Sequence, residues 1–304
     1  MPKTLSLIPM KARIALIQSV YDSAAERIIA VLSSLDPATY AAAESGRALS
    51  QVKDIIRSLD TAVQMWAPGA IRAAYEESAG VARTRLEMIG AQRIPASKYN
   101  PARHDKKISA LTKTVMTDYW KANRTIEKTA RKYLSVVSQA AVGVAKLAQV
   151  QMFESTDALP FIKRLLKKAR PADVAQATLS SGTVSRTIRD YLLSKLGGKD
   201  FIVINGRHYD VKSYAELVAR TRMREAQTEA TKELCKEFDN DLVQFSTHDN
   251  PCEECKKYEG EIYSLSGDSD TYDQLPDEAM PPVHPNCEHN LNPTSENALA
   301  WRNR

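Results

Sequence analysis

The chain has 304 residues, 43% of them hydrophobic and 26% charged, a balance that excludes a wholly disordered protein. Its longest apolar stretch, around residues 140–150, is interrupted by Lys146 and is too short to cross a bilayer. No signal peptide is recognisable either, so we expect a soluble protein made in the cytoplasm. Residues 1–200 carry 31 Lys and Arg against 17 Asp and Glu, whereas residues 201–304 carry 11 against 20, which suggests two surfaces for different partners.

Three helices are predicted before residue 90. Lys11–Leu35 has apolar residues at helical spacing and should end at Asp36-Pro37, because a residue before proline disfavours the helical conformation. A second helix is predicted over Gly46–Trp66, ending before Pro68-Gly69, and a third over Ala70–Ile89. The apolar positions of the first helix are Ile14, Ile17, Val20, Ala24, Ile28, Val31 and Leu35.

A long helical segment follows the loop that ends at Pro101. The 58 residues between Pro101 and Pro160 contain no proline and a single glycine, Gly143. A continuous helix of that length would reach about 85 Å at ~1.5 Å per residue. The segment therefore either folds back on itself or forms an extended arm, and we expect an arm with one or two breaks. A further helix is predicted over Phe161–Leu196, ended by Gly197-Gly198.

The pattern changes from helical to mixed at residue 198. Phe201–Val211 predicts a β-hairpin, because Asn205-Gly206 supplies the two positive φ angles of a type I′ turn. Ser213 and Glu216 match a capping box, which predicts a helix from there to about Phe238.

Two short strands are predicted after this helix, over Asp241–Thr247 and Gly260–Leu265, and an acidic segment rich in turn formers follows over residues 266–282. The fold class is therefore predicted as mainly α, with long helices over residues 1–197 and a small α+β domain over residues 198–304.

Four residues of the last fifth of the chain have the spacing of metal ligands. Cys252 and Cys255 form a C-x2-C pair, and His284 and Cys287 form an H-x2-C pair after 28 intervening residues. Two-residue spacing lets both side chains of a pair face one point, and two pairs supply the four ligands of a tetrahedral zinc ion. We therefore predict a structural zinc ion that holds the C-terminal domain together.

The identity of the fourth ligand stays open. His284 has the better spacing, His289 could replace it while His284 supports the ligands, and His248, four residues before Cys252, is a third candidate. Four protein ligands would close the site, whereas three would leave a water for catalysis. The alternative is a set of reduced, metal-free cysteines, and Cys235 is expected to be a packed helical side chain.

No complete catalytic motif is recognisable. A phosphate-binding loop, a nucleophile elbow and a zinc-protease helix are all missing from the sequence. A zinc deaminase would need H-x-E upstream of P-C-x-x-C, and His248-Asp249-Asn250 lacks the glutamate. His208 and Asp210 could transfer protons, but exposed polar groups on a hairpin are the commoner explanation. We therefore expect a protein without enzymatic activity.

The motifs of the C-terminal third, taken in order, closely resemble the minor capsid proteins of tailed phages, a group related to the F-type head-morphogenesis proteins of Mu-like phages. The resemblance covers roughly residues 200–293, and its one departure is Glu288, where the family commonly has Arg. The motifs are Tyr214–Thr221, Arg224–Ala226, Asp241–Val243, His248, Cys252 with Cys255, Gly260 with Tyr263 and Ser264, and His284–His289.

This resemblance implies a structural protein of the virion, associated with the portal protein and/or the major capsid protein near the portal vertex. It also implies non-specific contact with packaged DNA and ejection with the genome. Carried over by position, Arg220-Thr221 would anchor their helix to the site. The site itself would comprise Cys252, Cys255, His284, Cys287 and His289. The alternatives are a zinc-dependent hydrolase or nucleic-acid-modifying enzyme delivered with the phage genome, and a host DNA-binding regulator.

Overall fold

The protein is represented by a computed structural model, which describes residues 8–35, 42–92, 101–150, 202–204 and 207–296. Its elements confirm the predicted fold class, because long helices come first and a small α+β region with a three-stranded sheet follows. In chain order they are α1 (Met10–Ser33), α2 (Ala42–Met88), α3 (Pro101–Val150), β1 (Ile202–Ile204), β2 (Arg207–Tyr209), α4 (Val211–Glu237), β3 (Leu242–Phe245), α5 (Glu253–Lys256), β4 (Ile262–Ser264), a 3₁₀ turn (Asp277–Ala279) and β5 (Leu291–Pro293).

Helix α1 confirms the first predicted helix, but two of its buried positions differ from the prediction. Tyr21 and Leu32 are fully buried, whereas Val20 is 37% exposed and Val31 is half-buried. The buried row therefore alternates steps of three and four residues, as the 3.6-residue period of a helix requires. Val20 and Val31 are apolar, but they lie beside this row and not on it.

Helix α2 corrects the prediction of two helices separated at Pro68-Gly69, because it continues through Pro68. A proline inside a helix costs about 3 kcal/mol, since it lacks a backbone N–H and its ring clashes with the preceding turn. The residues around it are buried, among them Trp66 and Ile71. Burial of such large side chains contributes roughly 1.5–3 kcal/mol each, which offsets the cost of the proline.

Helix α3 continues through Gly143 to Val150, so the predicted break does not occur between Pro101 and Val150. The predicted helix over residues 161–196 and the predicted stop at residues 197–198 lie outside the described residues. Neither α3 nor any other described helix is both long and apolar enough to span a membrane.

The chain divides into two compact units. One consists of Met1–Ile17, Val63–Tyr119 and Ala215–Arg304, and the other of Gln18–Ala62 and Trp120–Tyr214. The predicted boundary between residues 197 and 198 lies outside the described residues and stays a prediction.

The unit with residues 18–62 and 120–214 contains a buried polar network among helices. The Tyr21 hydroxyl donates to Asn123 Oδ1 at 2.8 Å, and Asn123 Nδ2 donates to Asp60 Oδ1 at 2.7 Å. Burial raises the pKa of Tyr21 well above its ordinary value, so the phenol stays protonated and acts as the donor. These two hydrogen bonds therefore link the three helices α1, α2 and α3.

The predicted hairpin is confirmed within the same unit, since β1 pairs with β2 in antiparallel register from Ile202↔Tyr209 to Ile204↔Arg207. The next helix begins earlier than the capping box predicted. Asp210 Oδ1 accepts the backbone N–H of Ser213 at 2.7 Å, so Asp210 caps α4 and Ser213 lies inside it. A carboxylate caps a helix as well as a hydroxyl does, and here it stands three residues earlier in the chain.

The other unit is built on a three-stranded antiparallel sheet with the order β4-β3-β5. β3 pairs Val243 with Tyr263 of β4 and with Pro293 of β5. The apolar core on this sheet takes residues from the end of α2 and from α4 as well as from the strands: Ala82, Leu86, Leu234, Cys235, Phe238, Val243, Phe245, Tyr258, Leu275, Ala279 and Leu291.

Candidate metal centre

The first pair of candidate ligands lies on one short turn of helix. Cys252 precedes α5, and its carbonyl accepts the backbone N–H of Cys255 at 3.1 Å and that of Lys256 at 2.9 Å. A single helical turn places side chains three residues apart on the same face, so both thiols point the same way. Cys252 is exposed, whereas Cys255 is buried.

The second pair lies on a tight turn formed by His284, Pro285, Asn286 and Cys287. The N–H of Cys287 donates to the carbonyl of His284 at 3.0 Å, and Asn286 has a φ of 66°. Proline at the second position and asparagine with positive φ at the third are typical of a type II turn. The local sequence therefore explains why His284 and Cys287 are brought together.

Tertiary structure then brings the two pairs together with His289. His284 Nε2 lies 3.0 Å from Cys252 Sγ and 3.2 Å from Cys255 Sγ. Cys287 Sγ lies 3.9 Å from Cys255 Sγ and 3.7 Å from His289 Nδ1. Among the described residues these side chains form two groups that share Cys255, and within each group the candidate ligand atoms lie within 4.8 Å of one another.

In each of the two histidines, the ring nitrogen that does not face the sulfurs contacts an oxygen atom. His284 Nδ1 lies 2.8 Å from the carbonyl oxygen of Pro285, and His289 Nε2 lies 2.7 Å from Glu259 Oε1. Glu259 belongs to no motif in the sequence, and its proximity to His289, thirty residues away, could not be predicted. The sheet explains it, because Glu259 precedes β4 and His289 precedes β5, and both strands begin beside the end of β3.

The sequence profile of the phage minor capsid protein 2 family matches residues 42–297. The chain belongs to this family. It is accordingly a structural phage head protein. Searches of curated proteins and of solved structures found no match.

The match is longer than the resemblance predicted from the motifs, which covered roughly residues 200–293. It begins at residue 42 and so includes α2 and α3 as well as the C-terminal sheet. Helices α2 and α3 of this minor capsid protein therefore lie within the part shared with its family, whereas α1 lies outside the match.

The two thiols of the first pair differ in the direction of their pKa shifts. Burial raises the pKa of Cys255, and the neighbouring sulfurs of Cys252 and Cys287 raise it further. The backbone N–H of Cys255 lowers the pKa of the exposed Cys252, and the hydrogen bond from His289 lowers the pKa of Glu259. Several thiolates cannot accumulate here without a positive charge, which a metal ion would supply.

The donor set of the cluster fits a metal ion that prefers sulfur and nitrogen. Three thiols and two imidazoles match the ligands of zinc, whereas calcium and magnesium take oxygen ligands. Three of the five side chains, Cys255, Cys287 and His289, are buried. The cluster could therefore hold a metal ion in a largely closed site.

Two other candidate residues lie beside or away from the cluster. His248 Nε2 is 3.3 Å from Ser246 Oγ, and its ring stands edge-on to that of His289 at 4.4 Å between centroids, so it contacts a candidate ligand. Cys235 is buried on α4, where burial raises the pKa of its thiol to about 12. This packed position agrees with the prediction for Cys235.

The contact of α4 with the site differs in part from what the resemblance implied for Arg220-Thr221. Arg220 Nη1 lies 3.8 Å from Glu288 Oε1, and the buried Thr221 hydroxyl has no hydrogen-bond partner among the described residues. Arg224 makes the closer contact, since its Nη1 donates to Asn290 Oδ1 at 2.6 Å, directly after His289.

Proposed function

We propose that this minor capsid protein acts at the portal vertex of the phage head and is bound there through its helical region, residues 1–197. We propose further that a structural zinc ion holds its C-terminal α+β domain, residues 198–304, together. The family match over residues 42–297 supports the role in the head, and the thiol–imidazole cluster supports the metal.

The proposed zinc site would be closed and structural. Cys252, Cys255 and Cys287 would supply three ligands, and His284 or His289 would supply the fourth. Zinc bound this way would stabilise two loops that contribute little apolar burial of their own, because metal binding and folding of such loops are coupled. Burial of three of the five candidate ligands supports this closed site over a catalytic one with a bound water.

The partners we propose are the portal protein, the major capsid protein, or both, with additional non-specific contact to packaged DNA. A basic row on α3 supports the contact with DNA. Its four side chains are exposed, recur every three or four residues, and form no ion pair with any residue that the structure describes: Lys121, Arg124, Lys128 and Lys132. Lys and Arg on one helical face bind phosphates without reading sequence, by displacing counterions. Ejection with the genome would follow if the protein leaves the head bound to DNA.

The head role is tested in phage particles that carry a null allele of this gene, complemented by the wild-type chain. We expect the protein in purified virions at low copy number and co-purification with the portal protein from disrupted heads. Virions that lack the protein, or heads that assemble and package normally without it, would overturn the proposal.

The zinc proposal is tested on the purified full-length protein by metal analysis and thermal unfolding. We expect about one zinc per chain, and loss of both the zinc and the C-terminal unfolding transition in Cys252→Ser. Cys252 is exposed, so the substitution removes a ligand without disturbing a packed side chain. Cys235→Ala is the matched control, because this cysteine lies outside the cluster and should leave the zinc content unchanged.

A further inference from the structure

We infer that Glu259 takes part in metal binding by holding His289, and that His289 rather than His284 is the histidine that binds the ion. The inference rests on the zinc site proposed above and names the ligand that the spacing of the sequence left open.

The Glu259 carboxylate determines which nitrogen of His289 is free to bind. His289 Nε2 lies 2.7 Å from Glu259 Oε1, so Nε2 carries the proton and donates it to the carboxylate. Nδ1 then presents its lone pair, and it faces Cys287 Sγ at 3.7 Å. A histidine that binds a metal almost always donates its other N–H in this way, and a carboxylate acceptor makes the ring a stronger ligand.

The distances between donor atoms distinguish the two histidines. In a tetrahedral zinc site the zinc–sulfur distance is about 2.3 Å and the zinc–nitrogen distance is about 2.0–2.1 Å. Two sulfur ligands of one ion therefore lie about 3.8 Å apart, and a sulfur and a nitrogen ligand lie about 3.5 Å apart. The Cys255–Cys287 distance of 3.9 Å and the Cys287–His289 distance of 3.7 Å match these values. His284 Nε2 forms the other ligand group with Cys252 and Cys255, but it lies only 3.0 and 3.2 Å from their sulfurs, which is shorter than the separation expected for two ligands of one ion.

The burial of His289 and the contacts of its ring also favour His289 as the ligand. The His289 ring is 4% exposed and packs against Phe245, with 4.9 Å between ring centroids. Glu259 is also fixed, because its Oε1 accepts the backbone N–H of His248 at 2.8 Å. His284 is only half-buried, and its Nδ1 is held by the carbonyl of the next residue, Pro285, rather than by a distant element. A ligand held from several sides loses less freedom when it binds the ion.

The test measures zinc affinity of the full-length protein by competition with a chromophoric chelator. We expect Glu259→Gln to weaken zinc binding about 10–100-fold and His289→Ala to weaken it further, whereas His284→Ala should lose less than about 10-fold. Glu261→Gln is the matched control, because Glu261 is an exposed carboxylate on the same segment and its substitution changes the charge equally.

A spectroscopic measurement separates ligation from a merely structural role. In protein loaded with cadmium-113 and labelled with nitrogen-15, we expect a one-bond coupling between the metal and Nδ1 of His289, and none to His284. Three results would overturn the inference while leaving the zinc proposal intact. The first is zinc affinity that is retained in His289→Ala and lost in His284→Ala. The others are equal zinc affinities of Glu259→Gln and Glu261→Gln, and a coupling between the metal and His284. A wild-type protein that binds no zinc would overturn both.

Discussion

At the scale of single residues, the turn that carries His284 and Cys287 depends on the backbone conformation of Asn286. Its φ of 66° lies in the left-handed region, where most side chains are strained and asparagine and glycine are tolerated. Asn286 therefore suits the backbone conformation of this turn, which places one candidate ligand in each of the two groups that share Cys255.

We expect Asn286→Val to lower the free energy of unfolding by about 1–2 kcal/mol and to weaken metal binding, because a β-branched residue is strained at positive φ. Asn286→Gly serves as the control and should cost less than about 0.5 kcal/mol, since glycine adopts this conformation freely. Urea unfolding of both variants measures the difference. Equal losses in the two variants would show that the side chain of Asn286, and not its φ, matters.

At the scale of elements, the N-terminal part of α3 is joined to α4 by charged contacts within one compact unit. Lys107 Nζ lies 2.7 Å from Glu229 Oε2, and Lys232 Nζ lies 3.0 Å from Glu229 Oε1. Burial alone would raise the pKa of Glu229, but the hydrogen bonds from both lysines outweigh it and hold the pKa below its ordinary value. The carboxylate therefore stabilises the folded state in its charged form.

This contact predicts a dependence of stability on pH. A carboxyl with a lowered folded pKa contributes stability that is present above its unfolded pKa, about 4.3, and is lost as pH falls through the folded value. We expect Glu229→Gln to destabilise the protein by about 1 kcal/mol at pH 7 and by progressively less as the pH falls below about 4.3. Urea unfolding across this range checks it, with the exposed Glu87→Gln as control. A pH-independent loss would contradict the proposed ion pairing.

At the scale of the whole molecule, the candidate metal centre shares its apolar surroundings with the long helices. Tyr258 and Leu291, which flank the candidate ligands in the chain, belong to the same core as Ala82 and Leu86 of α2. This core therefore draws on residues from both sides of the predicted boundary between residues 197 and 198.

Metal removal should consequently affect α2 as well as the sheet. We expect a strong chelator to increase hydrogen exchange at the backbone amides of β3–β5 and at residues 79–89, because both sides of the core lose support when the loops loosen. Residues 52–59, which belong to the other compact unit, serve as the internal reference. Unchanged exchange at residues 79–89, together with loss of protection in β3–β5, would show that the sheet unfolds separately.

Local chemistry of the sequence was sufficient for several features. It predicted α1, the hairpin of β1 and β2, the strands β3 and β4, and the spacing of the two ligand pairs, because periodicity, turn residues and short spacings act over a few residues. The short strand β5 could not be predicted in this way. It has three residues, including Pro293, and exists because β3 offers a partner for it.

Tertiary structure alone decided the remaining features. The passage of α2 through Pro68 depends on burial of the residues around it, and the pairing of Glu259 with His289 depends on two strands that begin beside the same end of β3. Local preferences amount to about 1–3 kcal/mol, and packing or hydrogen bonding between distant segments can outweigh them. The sequence therefore determined which residue types could bind a metal ion, and only the fold decided which of them meet and which ring nitrogen faces the sulfurs.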